Sequence, residues 1–247
     1  MSNDAVLYAR EGQVAVITLN RAERMNRLDA QLVDGLHNAW HRFMADDDAR
    51  VAIVTGCDKA FSAGADLKAT PHDLYRGIPG VGVFVDKPII AAVSGWCIGG
   101  GMVITTMADI LVATEDAKFS YPEVKIGFSG GLISNLASRI PHKIAMELLL
   151  IGDTIDARRA YEVGYVNKIV SSDKLMSTAF AYAETIAANA PMPTRMLKRF
   201  VGETMPKGPT EIGGIARSNV DAINASEDWQ EGPRAFFEKR APDFKGR

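Results

Sequence analysis

Several short segments of the chain are apolar at nearly every position instead of alternating between apolar and polar residues. They are VAVITL at 14–19, VAIVTG at 51–56, IIAAVSG at 89–95 and ADILVAT at 108–114. Strands that are buried on both faces have this pattern, and parallel sheets covered by helices bury their strands in this way. The chain is therefore predicted to fold around a parallel sheet.

Helical patterns separate and follow these segments. An amphipathic stripe covers 28–47, and the shorter patterns at 143–152 and 156–164 each end at a glycine, as helix C-termini often do. Four prolines between residues 191 and 209 punctuate the helical segments that continue to the C-terminus. We therefore predict an α/β fold with a core over 1–190 and a helical region over 191–247.

Composition limits the partners of the chain. A formal net charge of −2 provides no basic surface for nucleic acid or for an anionic membrane. No apolar run reaches membrane-spanning length, and the N-terminus has no signal-peptide core. Cys57 and Cys97 lack CxxC spacing, so each is predicted to be a small buried hydrophobe. We expect a cytoplasmic protein with no nucleic-acid or membrane partner and no metal.

Two glycine-rich or small-residue stretches follow the apolar segments. Gly99–Gly101 precede a helical pattern, and the first N–H groups of a helix have no internal partner and favour negative charge. Ser62–Ala65 form a second small loop. If the two loops end neighbouring parallel strands, each can direct one N–H at one oxygen, as in an oxyanion hole. The alternative is that the glycines only allow a helix to pack tightly on the sheet.

A single glutamate completes this set of candidate site residues. Glu123 follows a proline and has apolar neighbours at 119, 121, 124 and 126. Apolar surroundings raise the pKa of a carboxyl group, and a carboxylate with a raised pKa can act as a base near neutral pH. A glutamate after a proline is more often solvated, so its assignment depends on the two loops.

These three segments, in this order and spacing, resemble the enoyl-CoA hydratase/isomerase (crotonase) superfamily. The resemblance covers nearly the whole chain, through LNRAERMNRLDAQL, KAFSAGADLK, KPIIAAVSGWCIGGG, ADILVATEDAKFSYPEVKIG, AMELLLIGDTIDARRAYEVGYVNKIV and EGPRAFFEKRAPDFKGR. It implies a spiral core of ββα turns with a helical C-terminal oligomerisation region, and a homotrimer or hexamer. It also implies an acyl-CoA thioester substrate and no separate cofactor, since coenzyme A is part of the substrate.

The resemblance also implies roles for individual residues. The amides of Ala65 and Gly100 would stabilise the oxygen of a thioester enolate, and Glu123 would transfer protons. The residues that it places at the CoA and substrate site are Arg24, Met25, Ala63, Asp66, Leu67, Lys68, Val103 and Lys239. Of these, Lys239 would reach the CoA phosphate of a neighbouring subunit.

The chain departs from the hydratases of this family at Val103. Those hydratases use two glutamates to hold and activate water, and Val103 stands where the first would be. A single glutamate is sufficient for the family isomerases that move a double bond, so an enoyl-CoA isomerase is favoured. The alternatives are a hydratase that uses a replacement such as His72, an acyl-CoA hydrolase or lyase, and a non-catalytic acyl-CoA-binding relic.

Two other segments depart from the family pattern, so the sequence does not identify the acyl group of the substrate. The segment 66–87, which normally helps to cover the acyl chain, is shorter than usual. The loop 126–136 is trimmed, lacks a proline and supplies no third acid.

Three other features point to competing functions or to structure alone. Residues 127–131 match the G-x-S-x-G pattern of serine hydrolases, but no acid lies between the serine and the later His142, as that fold requires. His37 and His41 have helical spacing but no third ligand, which favours a surface role over metal binding. Asp109 is expected to serve packing or a hydrogen bond at a helix end.

Overall fold

The fold is described here for residues 4–247, from a computed structural model. The strands are β1 (Val6–Glu11), β2 (Val14–Leu19), β3 (Val51–Thr55), β4 (Ala60–Ser62), β5 (Ile89–Val93), β6 (Trp96–Ile98), β7 (Ile110–Thr114), β8 (Lys118–Ser120), β9 (Thr154–Asp156) and β10 (Lys168–Val170). The helices are α1 (Ala30–Ala45), α2 (Gly100–Met107), α3 (His142–Ile151), α4 (Ala157–Glu162), α5 (Leu175–Ala188), α6 (Pro191–Thr204), α7 (Pro209–Asn224) and α8 (Glu227–Glu238).

The strands form two sheets between which the chain passes repeatedly. The larger sheet has the order β1-β2-β3-β5-β7-β10, and all its pairs are parallel except β1 with β2. The smaller sheet has the order β4-β6-β8-β9, in which β4, β6 and β8 are parallel. Each long strand β3, β5 and β7 is followed by a three-residue strand in the smaller sheet. This repeated passage is the predicted ββα spiral.

The predicted buried segments are β2, β3, β5 and β7, so that part of the prediction is confirmed. The structure adds six strands that the sequence did not reveal: β1, β4, β6, β8, β9 and β10. The last five have three residues each, which is too short for a periodic pattern. The helix predicted from residue 28 begins at Ala30, because the Asp29 side chain caps it by accepting a hydrogen bond from the Leu32 amide at 2.9 Å.

Helices bury both faces of the larger sheet. The apolar stripe of α1 lies in the main core, where Trp40 is fully buried and donates from its indole nitrogen to the Gly77 carbonyl at 3.0 Å. On the opposite face, α5 presents a stripe of residues to the sheet at intervals of four. That stripe is Leu175, Ala179, Ala183 and Ala187. Among residues 4–247, no helix is long and apolar enough to cross a membrane.

The C-terminal region is helical, as predicted, and α6 begins at Pro191. Two ion pairs connect α6 to the core: Arg195 contacts Asp86 at 2.8 Å and Lys198 contacts Asp109 at 2.8 Å. Helix α7 packs on the 3₁₀ segments 74–77 and 132–138, and α8 packs on α7. The oligomerisation role of 191–247 stays a prediction.

Asp109 performs the structural role that the sequence predicted. Its carboxylate accepts from the buried Ile89 amide at 2.7 Å, in addition to its ion pair with Lys198. It therefore connects the end of α2, the start of β5 and α6.

We expect Asp109→Ala to lower the free energy of unfolding by about 1–3 kcal/mol, because the buried Ile89 amide loses its acceptor. The matched control is Asp153→Ala, which breaks the exposed Lys125–Asp153 pair and should change the free energy of unfolding by about 0–1 kcal/mol. Urea unfolding followed by circular dichroism measures both values. Equal losses in the two variants would contradict the assigned role.

Candidate active site

The three segments singled out in the sequence follow three adjacent parallel strands. In the smaller sheet, Ser62 of β4 pairs with Cys97 of β6, and Ile98 of β6 pairs with Ser120 of β8. The loops after these strands therefore leave the sheet at the same edge. A Cβ atom built on Gly64 would lie 3.5 Å from the Gly99 Cα, so the first two loops are in contact.

The amide of Ala65 is held in place by its neighbours in the chain. The Leu28 amide donates to the Gly64 carbonyl at 2.8 Å, and the Asp66 amide donates to the Leu28 carbonyl at 3.1 Å. These two hydrogen bonds fix the backbone on each side of Ala65. The Ala65 N–H itself has no acceptor within residues 4–247.

The N–H of Gly100 can donate a hydrogen bond to a ligand, because it is the first amide of a helix. Gly100 begins α2, so its N–H has no partner inside the helix, and no acceptor elsewhere in the described chain takes it. The preceding Gly99 is anchored, since its amide donates to the Ser120 carbonyl at 3.0 Å. Two contacting loops thus each present one amide with no acceptor in residues 4–247, as the predicted oxyanion hole requires; the role of the two amides stays a prediction.

The glycines of this loop serve different purposes. Gly99 has φ of +54°, and a Cβ atom there would lie 2.6 Å from Oε1 of Glu123. A glycine is required at 99 by both the backbone conformation and the closeness of the carboxylate. At Gly101 a Cβ atom would lie 2.8 Å from the Ser62 Cβ, so this glycine lets α2 pack closely on β4. The site-related and the packing explanations therefore both apply, at different residues.

Glu123 lies in the 3₁₀ segment Pro122–Ile126 directly after β8, and its side chain is buried. Burial raises the pKa of the Glu123 carboxyl to about 7, and a hydrogen bond with its own backbone amide opposes this shift. Its Oε2 atom has no hydrogen-bond partner in the described chain. A carboxyl group with a pKa near 7 can both accept and return a proton at neutral pH.

Val103 lies on α2, one turn after Gly99, and only 3% of it is exposed. The position where the resemblance places the first glutamate of the hydratases is therefore apolar and buried. Tyr121 is also buried, and burial raises the pKa of its phenol to about 12. Residues 4–247 contain no group of three or more metal-ligating side chains.

Asn26 supports the first loop, and the sequence analysis missed it. Its side chain is fully buried and donates from Nδ2 to the carbonyls of Ala60 at 3.1 Å and Phe61 at 3.0 Å. Ser62 donates from its hydroxyl back to the Asn26 carbonyl at 2.7 Å. Asn26 has φ of +51°, a conformation that asparagine tolerates better than most residues. The ability of asparagine to adopt a positive φ is the only sequence property that pointed to this role. Many asparagines share that property, so it could not identify Asn26 in particular.

The structure places most of the predicted CoA-binding residues beside this loop. The Met25 carbonyl accepts from the Ala63 amide at 2.8 Å, so the turn at 24–25 is adjacent to 63–68. Asp66 is buried and accepts from the Lys68 amide at 3.1 Å, which shapes the turn. Their roles towards CoA stay predictions.

The exposed members of the predicted CoA set are Arg24, Leu67, Lys68 and Lys239. Lys239 caps the C-terminal end of α8, which packs on α7. Its predicted contact concerns a neighbouring subunit and stays a prediction.

The features that suggested other functions lie apart from these loops or lack the required context. Ser129 is exposed, follows a 3₁₀ segment instead of a strand, and accepts from the Gly131 amide at 3.2 Å. The strand–turn–helix context of a nucleophilic serine is therefore absent there. His37 and His41 stack edge to face with ring centroids 4.5 Å apart. Both cysteines are free thiols; Cys97 is buried as predicted, whereas Cys57 is only half-buried.

The chain matches the enoyl-CoA hydratase/isomerase family over residues 9–247. It is 35% identical to a probable enoyl-CoA hydratase, echA8, of Mycobacterium tuberculosis, with full coverage of both chains. It is 37% identical to an (E)-benzylidenesuccinyl-CoA hydratase of Thauera aromatica, over 94% of this chain and 96% of that one.

The structure of a carnitinyl-CoA hydratase from Mycobacterium avium superimposes with a TM-score of 0.77 at 33% identity, with full coverage of both chains. This chain therefore belongs to the enoyl-CoA hydratase/isomerase family of enzymes and has the crotonase fold.

We expect Gly99→Ala to reduce turnover of CoA thioesters about a hundredfold, because a methyl group there displaces Glu123 and strains the loop. Gly213→Ala is the control, since Gly213 is exposed on α7 with no atom within 4 Å of its added Cβ. Steady-state kinetics and thermal unfolding should be compared for both. Unchanged turnover in Gly99→Ala would refute the proximity argument.

Proposed function

We propose that the enzyme is an isomerase that moves the double bond of an enoyl-CoA from the 3 to the 2 position. The observation that carries this proposal is Val103, a buried apolar side chain where family hydratases have an acid. We therefore assign proton transfer at the reacting carbons to Glu123 alone among residues 4–247, and its pKa of about 7 suits it to proton transfer in both directions.

The mechanism requires only one proton to move. Ionised Glu123 takes a proton from C2 of a 3-enoyl-CoA, and the electron pair of that C–H bond shifts into an enolate whose oxygen is negative. The amides of Ala65 and Gly100 donate hydrogen bonds to this oxygen. Glu123 then returns the proton to C4, the double bond forms between C2 and C3, and the carboxylate is regenerated. No water is consumed.

A hydratase is the second candidate, because the names of the relatives favour it. Adding water across a double bond requires a base to deprotonate the water and an acid to protonate the α-carbon. Glu123 alone would have to serve both purposes, and Val103 can neither hold nor deprotonate water. The same argument disfavours a crotonase-type hydrolase that relies on two carboxylates.

The deciding experiment is incubation in heavy water with saturated, 2-enoyl and 3-enoyl CoA esters, followed by mass spectrometry and NMR. We expect conversion of 3-enoyl to 2-enoyl esters with deuterium uptake and no hydroxyacyl product. Hydroxyacyl-CoA would identify a hydratase and free CoA a hydrolase. The absence of both exchange and conversion with every ester would identify a binding protein.

We expect Glu123→Gln to reduce isomerisation by about 10²–10⁴-fold while CoA-ester affinity stays nearly unchanged, because the amide cannot accept the proton. Glu147→Gln is the control, since Glu147 is an exposed glutamate on α3. Kinetics and calorimetric binding should be measured on both variants. Retention of activity in Glu123→Gln would remove the proposed base.

The pH profile provides an independent test of the single-carboxylate mechanism. Since Glu123 must be ionised to act, kcat/KM should fall about tenfold per pH unit below its pKa of about 7 and be level above it. A pair of carboxylates with opposite roles would instead produce a bell-shaped profile. Measurements of kcat/KM from about pH 5.5 to about pH 9 at constant ionic strength distinguish the one-sided profile from the bell-shaped one. The comparison can be made with whichever reaction of the double bond the enzyme catalyses.

A further inference from the structure

Helix α2 carries two hydroxyl groups that the proposed reaction does not use. The helix is buried from Gly100 to Thr106, and its only polar side chains are Thr105 and Thr106. A buried polar group is costly unless it is hydrogen-bonded. Both hydroxyl oxygens lie within hydrogen-bond distance of the Met102 carbonyl oxygen, Thr105 Oγ1 at 3.1 Å and Thr106 Oγ1 at 2.7 Å. One backbone carbonyl of α2 therefore collects both hydroxyls of the helix.

A third hydroxyl, that of Tyr165, reaches the same carbonyl from outside the helix. It lies 3.1 Å from the Met102 oxygen, 2.8 Å from Thr105 Oγ1 and 3.1 Å from Thr106 Oγ1. The tyrosine ring is buried and packs edge to face on Phe119 of β8, with the ring centroids 5.4 Å apart. Burial raises the pKa of the phenol, so the hydroxyl keeps its hydrogen. Its hydrogen goes to the Met102 carbonyl directly, or to a threonine that donates to that carbonyl.

The Met102 carbonyl is connected to the Gly100 amide through two planar peptide groups and one hydrogen bond. The C=O of Met102 and the N–H of Val103 belong to one planar peptide group. The Val103 N–H donates to the Gly99 carbonyl at 3.0 Å. The C=O of Gly99 and the N–H of Gly100 belong to a second planar peptide group. We refer to these connected groups, from the Tyr165 hydroxyl to the Gly100 N–H, as the α2 network.

The α2 network affects both the strength and the direction of the Gly100 donor. Hydrogen bonds that are connected in series polarise one another, so a donor on the carbonyl of a peptide group strengthens its N–H as a donor. The direction is restrained because the Gly99 carbonyl is held by Val103 and the Gly99 amide donates to the Ser120 carbonyl at 3.0 Å. A donor that is oriented and polarised before the substrate binds suits an oxyanion hole.

We propose that Tyr165 is a positioning residue for the Gly100 amide, which its hydroxyl orients and polarises through the α2 network. This inference rests on the proposed function, in which the Gly100 amide donates to the oxygen of a thioester. Tyr165 is assigned no contact with the substrate. Its removal should therefore weaken the binding of charge on that oxygen and leave the proton transfer by Glu123 intact.

The test is the infrared carbonyl band of butanoyl-CoA, labelled with ¹³C at the thioester carbonyl and bound to the full chain in the assembly in which it purifies. Hydrogen bonds to a carbonyl oxygen lower its stretching frequency. Tyr165→Phe keeps the ring and removes the hydroxyl, so the displacement of the bound band should shrink by about 10–30%. For whichever CoA ester turns over, kcat should fall about threefold to tenfold with KM nearly unchanged, which is a fraction of the effect of a whole oxyanion donor.

Tyr8→Phe is the matched control, because it also removes a phenol hydroxyl that donates a hydrogen bond, to Asp46 at 3.3 Å, but on β1. It should leave the band and kcat unchanged. An equal displacement of the band in Tyr165→Phe and in the unmodified protein would overturn this inference alone. No displacement in the unmodified protein would overturn the donor role of the Gly100 amide, and this inference with it.

Two variants of Thr106 test the α2 network at a second point. Thr106→Val removes the hydroxyl that lies 2.7 Å from the Met102 carbonyl, whereas Thr106→Ser keeps a hydroxyl at the same position. We expect a smaller band displacement in Thr106→Val than in Thr106→Ser. Thermal unfolding confirms that the variants fold. Equal displacements in the two variants would contradict the α2 network.

The pH profile separates an action on Gly100 from an action on Glu123. The α2 network ends at the Gly100 amide, so the midpoint of the kcat/KM profile in Tyr165→Phe should stay at the unmodified value of about 7. A displaced midpoint would show that Tyr165 acts through the carboxylate, and would overturn the assignment.

Discussion

The parallel pairing of β4, β6 and β8 is the constraint on which the site depends. Because these strands run in one direction side by side, the three loops that follow them leave the sheet together. The hydrogen bonds of Leu28 with residues 64 and 66 then fix the first loop, and the bond from Gly99 to Ser120 fixes the second. Donors held in this way need no reorganisation when charge develops on a bound oxygen.

The electrostatics of the candidate active site follow from burial. Glu123 is a buried carboxyl group with no cation partner among residues 4–247, so its ionised form is costly and its pKa is raised to about 7. In the proposed reaction the negative charge moves from this carboxylate to the thioester oxygen beside the Ala65 and Gly100 amides. The net charge of the site is the same before and after the transfer. A buried, low-dielectric site therefore penalises the transfer less than it would penalise the creation of a new charge.

Much of this arrangement could be predicted from the sequence, because long buried strands and glycine loops leave clear patterns. The strands β2, β3, β5 and β7 were recognisable from their continuous apolar residues. Glu123 became a candidate only together with the two loops, and of its apolar neighbours Val124 and Ile126 are exposed. The short strands were not recognisable, since three residues carry no period. Without the short strands, the sequence could not show that the loop at 63–65 follows a strand of the smaller sheet, whereas the segment 51–56 belongs to the larger sheet.

The supporting contacts were also beyond sequence analysis. Asn26 acts through hydrogen bonds to residues 60 and 61, which are more than thirty positions away in the sequence. The residues adjacent to Asn26 do not indicate these partners.

The two amides proposed to bind the enolate oxygen belong to the main chain, and this has a consequence for how such a protein can diverge. Among amino-acid substitutions only a change to proline removes a backbone N–H. Most point mutations at these two positions therefore leave the donors in place. The side chains around them, such as those at 103 and 123, can each be exchanged by a few nucleotide changes. A descendant can thus acquire a different reaction while it inherits the same pair of main-chain donors.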